Sequence, residues 1–127
     1  MFESYGPENT LIESGKISGG RREGEWTTYY PQSDTLVMST TQYANGELDG
    51  LQHVFFEDGT LQIEGAIKNG KREGPWKWYH QNAILESSVD FIAGKKEGVQ
   101  HFYLDDATLT RTEVYKQGGL VENRIEP

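Results

Sequence analysis

No cysteine occurs among the 127 residues, so neither disulfides nor thiolate metal sites hold this chain together, and the redox compartment is left open. Hydrophobic residues make up only 35%, which argues against a thick buried core and for a thin, turn-rich sheet. No apolar run approaches the roughly 18 residues that a membrane span needs. The stretch from Met1 to Pro7 has neither the basic nor the apolar region of a signal peptide. These absences predict a cytoplasmic protein without membrane insertion. Positive charge is also scarce, with 12 Lys and Arg against 20 Asp and Glu and a net charge of −8. Such a surface repels nucleic-acid backbones and attracts a basic protein.

What the chain does contain is one phrase written four times. It runs GRREGEWTTY from Gly20, GELDGLQHVF from Gly46, GKREGPWKWY from Gly70 and GKKEGVQHFY from Gly94. The second glycines fall at 24, 50, 74 and 98, so the steps are 26, 24 and 24 residues. A fixed period in this range marks a repeat architecture whose units bury their apolar faces by stacking on neighbours. Full units are expected over 20–45, 46–69, 70–93 and 94–117, after a partial unit 1–19 and before a degenerate cap 118–127, all in one domain.

Each unit holds two short alternating runs rich in aromatic and β-branched residues, too short for helices. Asn45-Gly46 and Asn69-Gly70 supply hairpin turns between units, and Asp58-Gly59 reads as a two-residue turn within one. The expected fold is therefore all-β: an elongated, twisted antiparallel meander of β-hairpin repeats of about 24 residues in a single sheet, with eight to eleven strands. Two extra residues in the first full unit are expected as a longer turn at Pro31–Thr35 and a β-bulge between Leu36 and Tyr43. In this register Phe56 opposes Leu61, Val54 opposes Ile63 and Ile63 opposes Trp76.

Alternation sorts the side chains onto two faces. One is apolar and includes Trp26, Val54, Ile63, Ile67, Trp76, Trp78, Val89, Phe91 and Phe102. The other carries Thr27, His53, Glu64, Lys77, Glu86, Asp90 and His101 with an aromatic row, Tyr29, Phe55, Tyr79 and Tyr103. The apolar face needs a cover: curvature of the sheet, a protein partner, or a homodimer formed through that face or the sheet edges.

Chemistry is sparse. His53 and His101 share a repeat position two units apart, about 19 Å at ordinary strand spacing, so they do not share a metal ion. Glu23, Asp49, Glu73 and Glu97 recur before each second glycine, which suggests turn N–H acceptors rather than an acid/base pair. The basic residues Arg21, Arg22, Lys71, Arg72, Lys95 and Lys96 are interspersed with acids and read as solvated turn residues. No catalytic residues, metal site or cofactor are expected. Candidate partner-binding residues are Trp76, Trp78, His80 and Phe102 on the apolar face, because tryptophan is enriched at interface hot spots. Glu64, Glu86 and Asp90 on the polar face are the second candidate set.

The phrases from Gly70 to Tyr79 and from Leu61 to Gly70 resemble the MORN-repeat superfamily, in its bacterial variant with the pattern GKxxGxWxxYY, NGxL and a closing YxxG. The resemblance covers roughly residues 5 to 118, with Gln52 and Gln100 in the tryptophan slot and Ala83 and Ala107 in a turn-glycine slot as departures. It implies a protein-binding role, since proteins of this variant are often named YwqK-type antitoxins, immunity partners of toxins. The function expected is a non-catalytic protein-binding module, an antitoxin or immunity protein that masks a toxin partner such as a basic toxin domain. The alternative is a scaffolding module of a larger or membrane-associated assembly.

Overall fold

The computed structural model describes residues 1–6, 10–33 and 35–126. Asp34 of the lengthened turn, Pro7 of the N-terminal stretch and Pro127 of the cap lie outside them. The chain forms eleven strands: β1 (Phe2–Tyr5), β2 (Leu11–Ser18), β3 (Arg21–Tyr29), β4 (Val37–Ala44), β5 (Glu47–Phe55), β6 (Leu61–Lys68), β7 (Lys71–Tyr79), β8 (Leu85–Ile92), β9 (Lys95–Tyr103), β10 (Leu109–Lys116) and β11 (Gly119–Ile125). They lie in one open sheet in sequence order, every neighbour antiparallel. The single-sheet hairpin-repeat meander is the fold, and among the described residues there is no helix, hence none able to cross a membrane.

Two kinds of turn alternate along the two long edges. On one edge Asn45-Gly46, Asn69-Gly70, Ala93-Gly94 and Gln117-Gly118 join the hairpins, with positive φ at both residues of each pair. That conformation matches the right-handed strand twist, and Asn-Gly reaches it at least cost. The last such turn is thus Gln117-Gly118, and Gly119 already belongs to β11. Glu23, Glu73 and Glu97 accept the N–H of Asn45, Ala93 and Gln117 at 2.9, 3.1 and 2.9 Å, the turn-bracing role expected of them. Asp49, one methylene shorter, makes no such bond among the described residues.

The opposite edge corrects the register. Gly59 N–H donates to Phe56 O at 2.9 Å and Phe56 N–H to Thr60 O at 2.8 Å. The loop therefore has three residues, Glu57 to Gly59, closing on a glycine at positive φ, instead of the two-residue Asp58-Gly59 turn expected. Phe55, not Phe56, pairs with Leu61, while Val54 does oppose Ile63. Ile63 opposes Trp78 rather than Trp76, because Gly74, Pro75 and Trp76 bulge opposite the single residue Gly65. The extra residues of the first unit are also relocated. Tyr29 pairs with Val37 just as Tyr79 pairs with Leu85, and β4 has the same 8 residues as β8. Both insertions consequently fall between Tyr30 and Val37, and β4 carries no additional residue.

Asp58 and Asp106 each accept the N–H of the residue two further on, Thr60 and Thr108, at 2.9 Å. At Asp58 the Thr60 N–H and then its side chain, and at Asp106 the Thr108 side chain and then its N–H, favour the carboxylate and lower the pKa from the usual aspartate value. Ala83 and Ala107 take the glycine position of this loop at φ 73° and 71°, where a Cβ is strained. Ala83→Gly and Ala107→Gly are each expected to raise stability by about 0.5–1 kcal/mol, the relief of that strain less the added freedom of the unfolded chain. Thermal unfolding of the two variants measures it, and an unchanged or lower Tm would contradict the assignment.

The core is a row that crosses the strands on the apolar face, here the tryptophan face. It runs Phe2, Gly15, Trp26, Thr41, Gln52, Gly65, Trp76, Val89, Gln100. Wherever tryptophan occupies its slot, the preceding strand offers glycine. A Cβ at Gly15 or Gly65 would lie 2.1 Å from Cδ2 of Trp26 or Trp76. Each indole N–H then donates to a carbonyl of the same preceding strand, Lys16 O at 3.2 Å and Ala66 O at 2.9 Å. Wherever glutamine takes the slot, a larger residue fills the glycine position. Gln52 faces Thr41 and donates to its hydroxyl at 3.3 Å. Gln100, opposite Val89, donates to Ser87 at 2.8 Å and accepts from Lys96 at 3.0 Å. The two departures from the repeat are complete units with their own complement.

Candidate binding surface

Arg21, Lys71, Arg72 and Lys95 are exposed, as expected of turn residues, but the second residue of each pair also lies over an aromatic ring. Arg22 lies 4.1 Å over the ring of Trp26 and pairs with Glu13 at 2.7 Å. Arg72 lies 4.4 Å over Trp76 and 5.9 Å from Trp78. Lys96 lies 4.7 Å over Tyr115, and Arg111 adds a guanidinium 3.9 Å over Phe102. Arg72 is exposed and the other three cations are half-buried, so contacts of this kind contribute about 0.5–1 kcal/mol each. The first basic residue of each pair, Arg21, Lys71 and Lys95, runs its methylenes against Gly46, Gly94 and Gly118 of the next turn.

This arrangement places the apolar-face candidates. Trp76 is 0% exposed, packed with Ile67, Val89 and Phe91, and offers a partner nothing. Trp78 is half-buried against that cluster and Phe102 is half-buried beneath Arg111. His80 joins hairpins: its Nε2 lies 2.7 Å from Tyr103 O, two strands away, and its Nδ1 is 3.6 Å from Glu86. Tyr30, at the same repeat position, donates its hydroxyl to Phe55 O in the same way. The four residues are thus not one open patch. Trp76 is fully covered, and cations, rings and backbone carbonyls of the chain itself cover part of the other three.

The polar face is different. Its central row reads Ser14, Thr27, Thr40, His53, Glu64, Lys77, Ser88, His101, Thr112. Within it, His101 Nδ1 lies 3.0 Å from Thr112 Oγ1. Glu64 lies in this row, Asp90 is exposed opposite Pro75, and Glu86 is exposed beside His80. Sequence reading missed the aliphatic residues here. Leu51 and Val99 are 56% and 50% exposed and share the position just after the second glycine, as does exposed Pro75. Leu51, Ala66 and Pro75 line a shallow hollow of about 310 Å³ with His53, Glu64 and Lys77. The signal was legible as Glu25, Leu51, Pro75 and Val99 at one repeat offset, three of them apolar where a solvated position would be polar.

The aromatic row borders the same face. Tyr29, Phe55, Tyr79 and Tyr103 hold equivalent register positions opposite Val37, Leu61, Leu85 and Leu109. Phe55 stacks on His53 with centroids 6.4 Å apart, Tyr103 lies 6.2 Å from His101, and the Tyr79 hydroxyl donates to Glu64 at 3.3 Å. Burial, with the nearby Glu64 charge, raises the Tyr79 pKa above its usual value. Among the described residues no group of His, Asp and Glu has the geometry of a metal site. In comparison with known proteins, no family model and no curated protein matches this chain.

Proposed function

We propose that the chain is a non-catalytic protein-binding repeat module that engages its partner through the polar face. The observation that carries this reading is the division of labour between faces. Apart from Phe2 and Ile17 in the first two strands, the tryptophan face is occupied by its own cations and rings, while the polar face leaves Leu51, Pro75 and Val99 in the open among charged and imidazole groups. Exposed aliphatics within a polar rim are the composition of an interface centre. The net charge of −8 favours a basic partner and speeds its encounter. The resemblance to the bacterial MORN variant supports the narrower role of an immunity protein that masks a toxin domain by stoichiometric binding.

The test starts from the partner isolated with the full chain from its native source. Leu51→Asp combined with Val99→Asp is expected to weaken the complex about 100-fold or more, as loss of two central contacts does, with Tm within a few degrees of wild type. Trp78→Ala is expected to leave affinity unchanged. For the immunity role, one equivalent of the chain abolishes the partner's toxicity, and the double variant does not. Loss of binding in Trp78→Ala alone would move the interface to the tryptophan face.

A further inference from the structure

The hairpin repeat sets a length, and that length selects a ligand. Adjacent strands lie about 4.8 Å apart, so rungs of the aromatic row recur every two strands, about 9.6 Å. Four rungs, Tyr29, Phe55, Tyr79 and Tyr103, span three such steps, about 29 Å, running across the strands. All four are half-buried, offering part of each ring to solvent. Each stands opposite an aliphatic residue at the start of the following strand, and next to Phe55 the surface opens into a hollow of about 390 Å³ lined by Leu36, Val37 and Thr40.

A chain lying across these strands meets the rungs in register only if its side chains return to one face every 9.6 Å or so. An α-helix advances 1.5 Å per residue and would need 6.4 residues per rung, which is not a whole number of residues. An extended β-strand covers three residues in about 10 Å, but alternation turns the third side chain to the far side. A polyproline II helix advances 3.1 Å per residue with three residues per turn, so every third side chain returns to the same face after about 9.3 Å. Over three steps the mismatch is only about 1 Å. Such a helix also leaves its carbonyls unpaired, in need of donors. Among the described residues the hydroxyls of Tyr29 and Tyr103 make no hydrogen bond within the chain, and face such a ligand as free donors. The Glu64 carboxylate beside Tyr79, the exposed Glu86 and the overall acidity favour positive charge at its ends.

We infer that the aromatic row of the polar face binds a proline-rich segment in the polyproline II conformation, flanked by Lys or Arg, laid across the strands with every third residue on a rung. Aromatic-lined grooves recognise such segments because the ligand is already ordered before it binds. The inference rests on the polar face being the binding face and specifies what that face reads.

The test titrates the full chain by calorimetry with a ten-proline peptide carrying two arginines at each end. The control peptide has every proline replaced by glycine, with charge and length unchanged. The proline peptide is expected to bind at least about tenfold more tightly, the advantage of preorganisation. Tyr103→Ala and Phe55→Ala are each expected to weaken it about tenfold, one aromatic contact apiece, and Trp78→Ala to leave it unchanged. Amide shift mapping on the wild-type chain gives a second readout independent of variant folding: perturbations are expected along Tyr29, Phe55, Tyr79 and Tyr103. Equal affinity for both peptides, or perturbations confined to the tryptophan face, overturns the inference. If the peptides bind equally while Leu51→Asp with Val99→Asp still abolishes the native complex, the polar face remains the binding face and only the ligand class is wrong.

Discussion

Trp76→Ala is expected to cost about 4 kcal/mol of unfolding free energy, the largest single loss in the chain. The ring is wholly buried and lies flat on the backbone of Gly65, with its N–H on Ala66 O and Arg72 over its face. Phe91 meets it edge-on at 6.3 Å and 74°. Removing it strips contacts from Ile67, Val89 and Phe91 together, and leaves a guanidinium without the surface it covers. A domain of this size is stable by about 5–15 kcal/mol, so the variant is left marginal. The loss also cuts the coupling between neighbouring repeats, since each unit is stabilised chiefly by the next. Denaturant unfolding is expected to show a lower midpoint and a broadened transition. Trp26→Ala should cost less, because part of its cover is Phe2, itself 42% exposed at the end of the sheet. A cost below about 1 kcal/mol for Trp76→Ala, less than cavity formation allows, would refute the account of the core.

The second large effect is its mirror image. Gly65→Ala is expected to destabilise by about 3 kcal/mol, at the upper end for overpacking, because the new Cβ would sit 2.1 Å from Cδ2 of Trp76 and 2.2 Å from Cε2. The indole cannot tilt away without breaking its bond to Ala66 O and its packing on Phe91. The two substitutions are therefore strongly coupled. In the Trp76→Ala background Gly65→Ala should be close to neutral, since the obstructing ring is gone and alanine suits a strand better than glycine. Urea unfolding of the four members of this cycle measures the coupling. Additive costs would show that glycine is there for a reason other than the ring.

Much of the fold was legible because its signals are local. The period, the Asn-Gly turns and the alternation of apolar residues fix strand number, order and the partition into faces. Register was harder for a specific reason. The three-residue bulge at Gly74 to Trp76 moves Ile63 from Trp76 to Trp78, a shift of two, which preserves the face of every side chain. Alternation cannot detect an even shift. The three-residue loop closing at Gly59 shifts the Leu61 pairing by one, from Phe56 to Phe55, and a compensating bulge restores Val54 opposite Ile63, while the two insertions before Val37 stay in the turn.

The site was less legible. Tryptophan counts as a hot-spot residue and a core residue equally, and only the pairing of Trp26 with Gly15 and Trp76 with Gly65 decides for the core. That pairing, and arginine occurring four residues before each of these tryptophans while Leu48 precedes Gln52 and Lys96 precedes Gln100, stands in the sequence. It becomes meaningful only once strands β2 and β6 are known to lie beside β3 and β7. Leu51, Pro75 and Val99 share the parity of His53, Lys77 and His101, which places them on the polar face, but alternation does not report whether a neighbour covers them there.

The most direct test of the central claim, that the tryptophan face is structure and the polar face is function, is hydrogen–deuterium exchange combined with side-chain cross-linking on the complex with the native partner. The account predicts cross-links to Lys77 and protection centred on Leu51, His53, Phe55, Tyr79 and Val99, with no new protection at Trp78 or Phe102. Protection centred on Trp78, Phe102 and Arg111, with Lys77 still free to react, would contradict it.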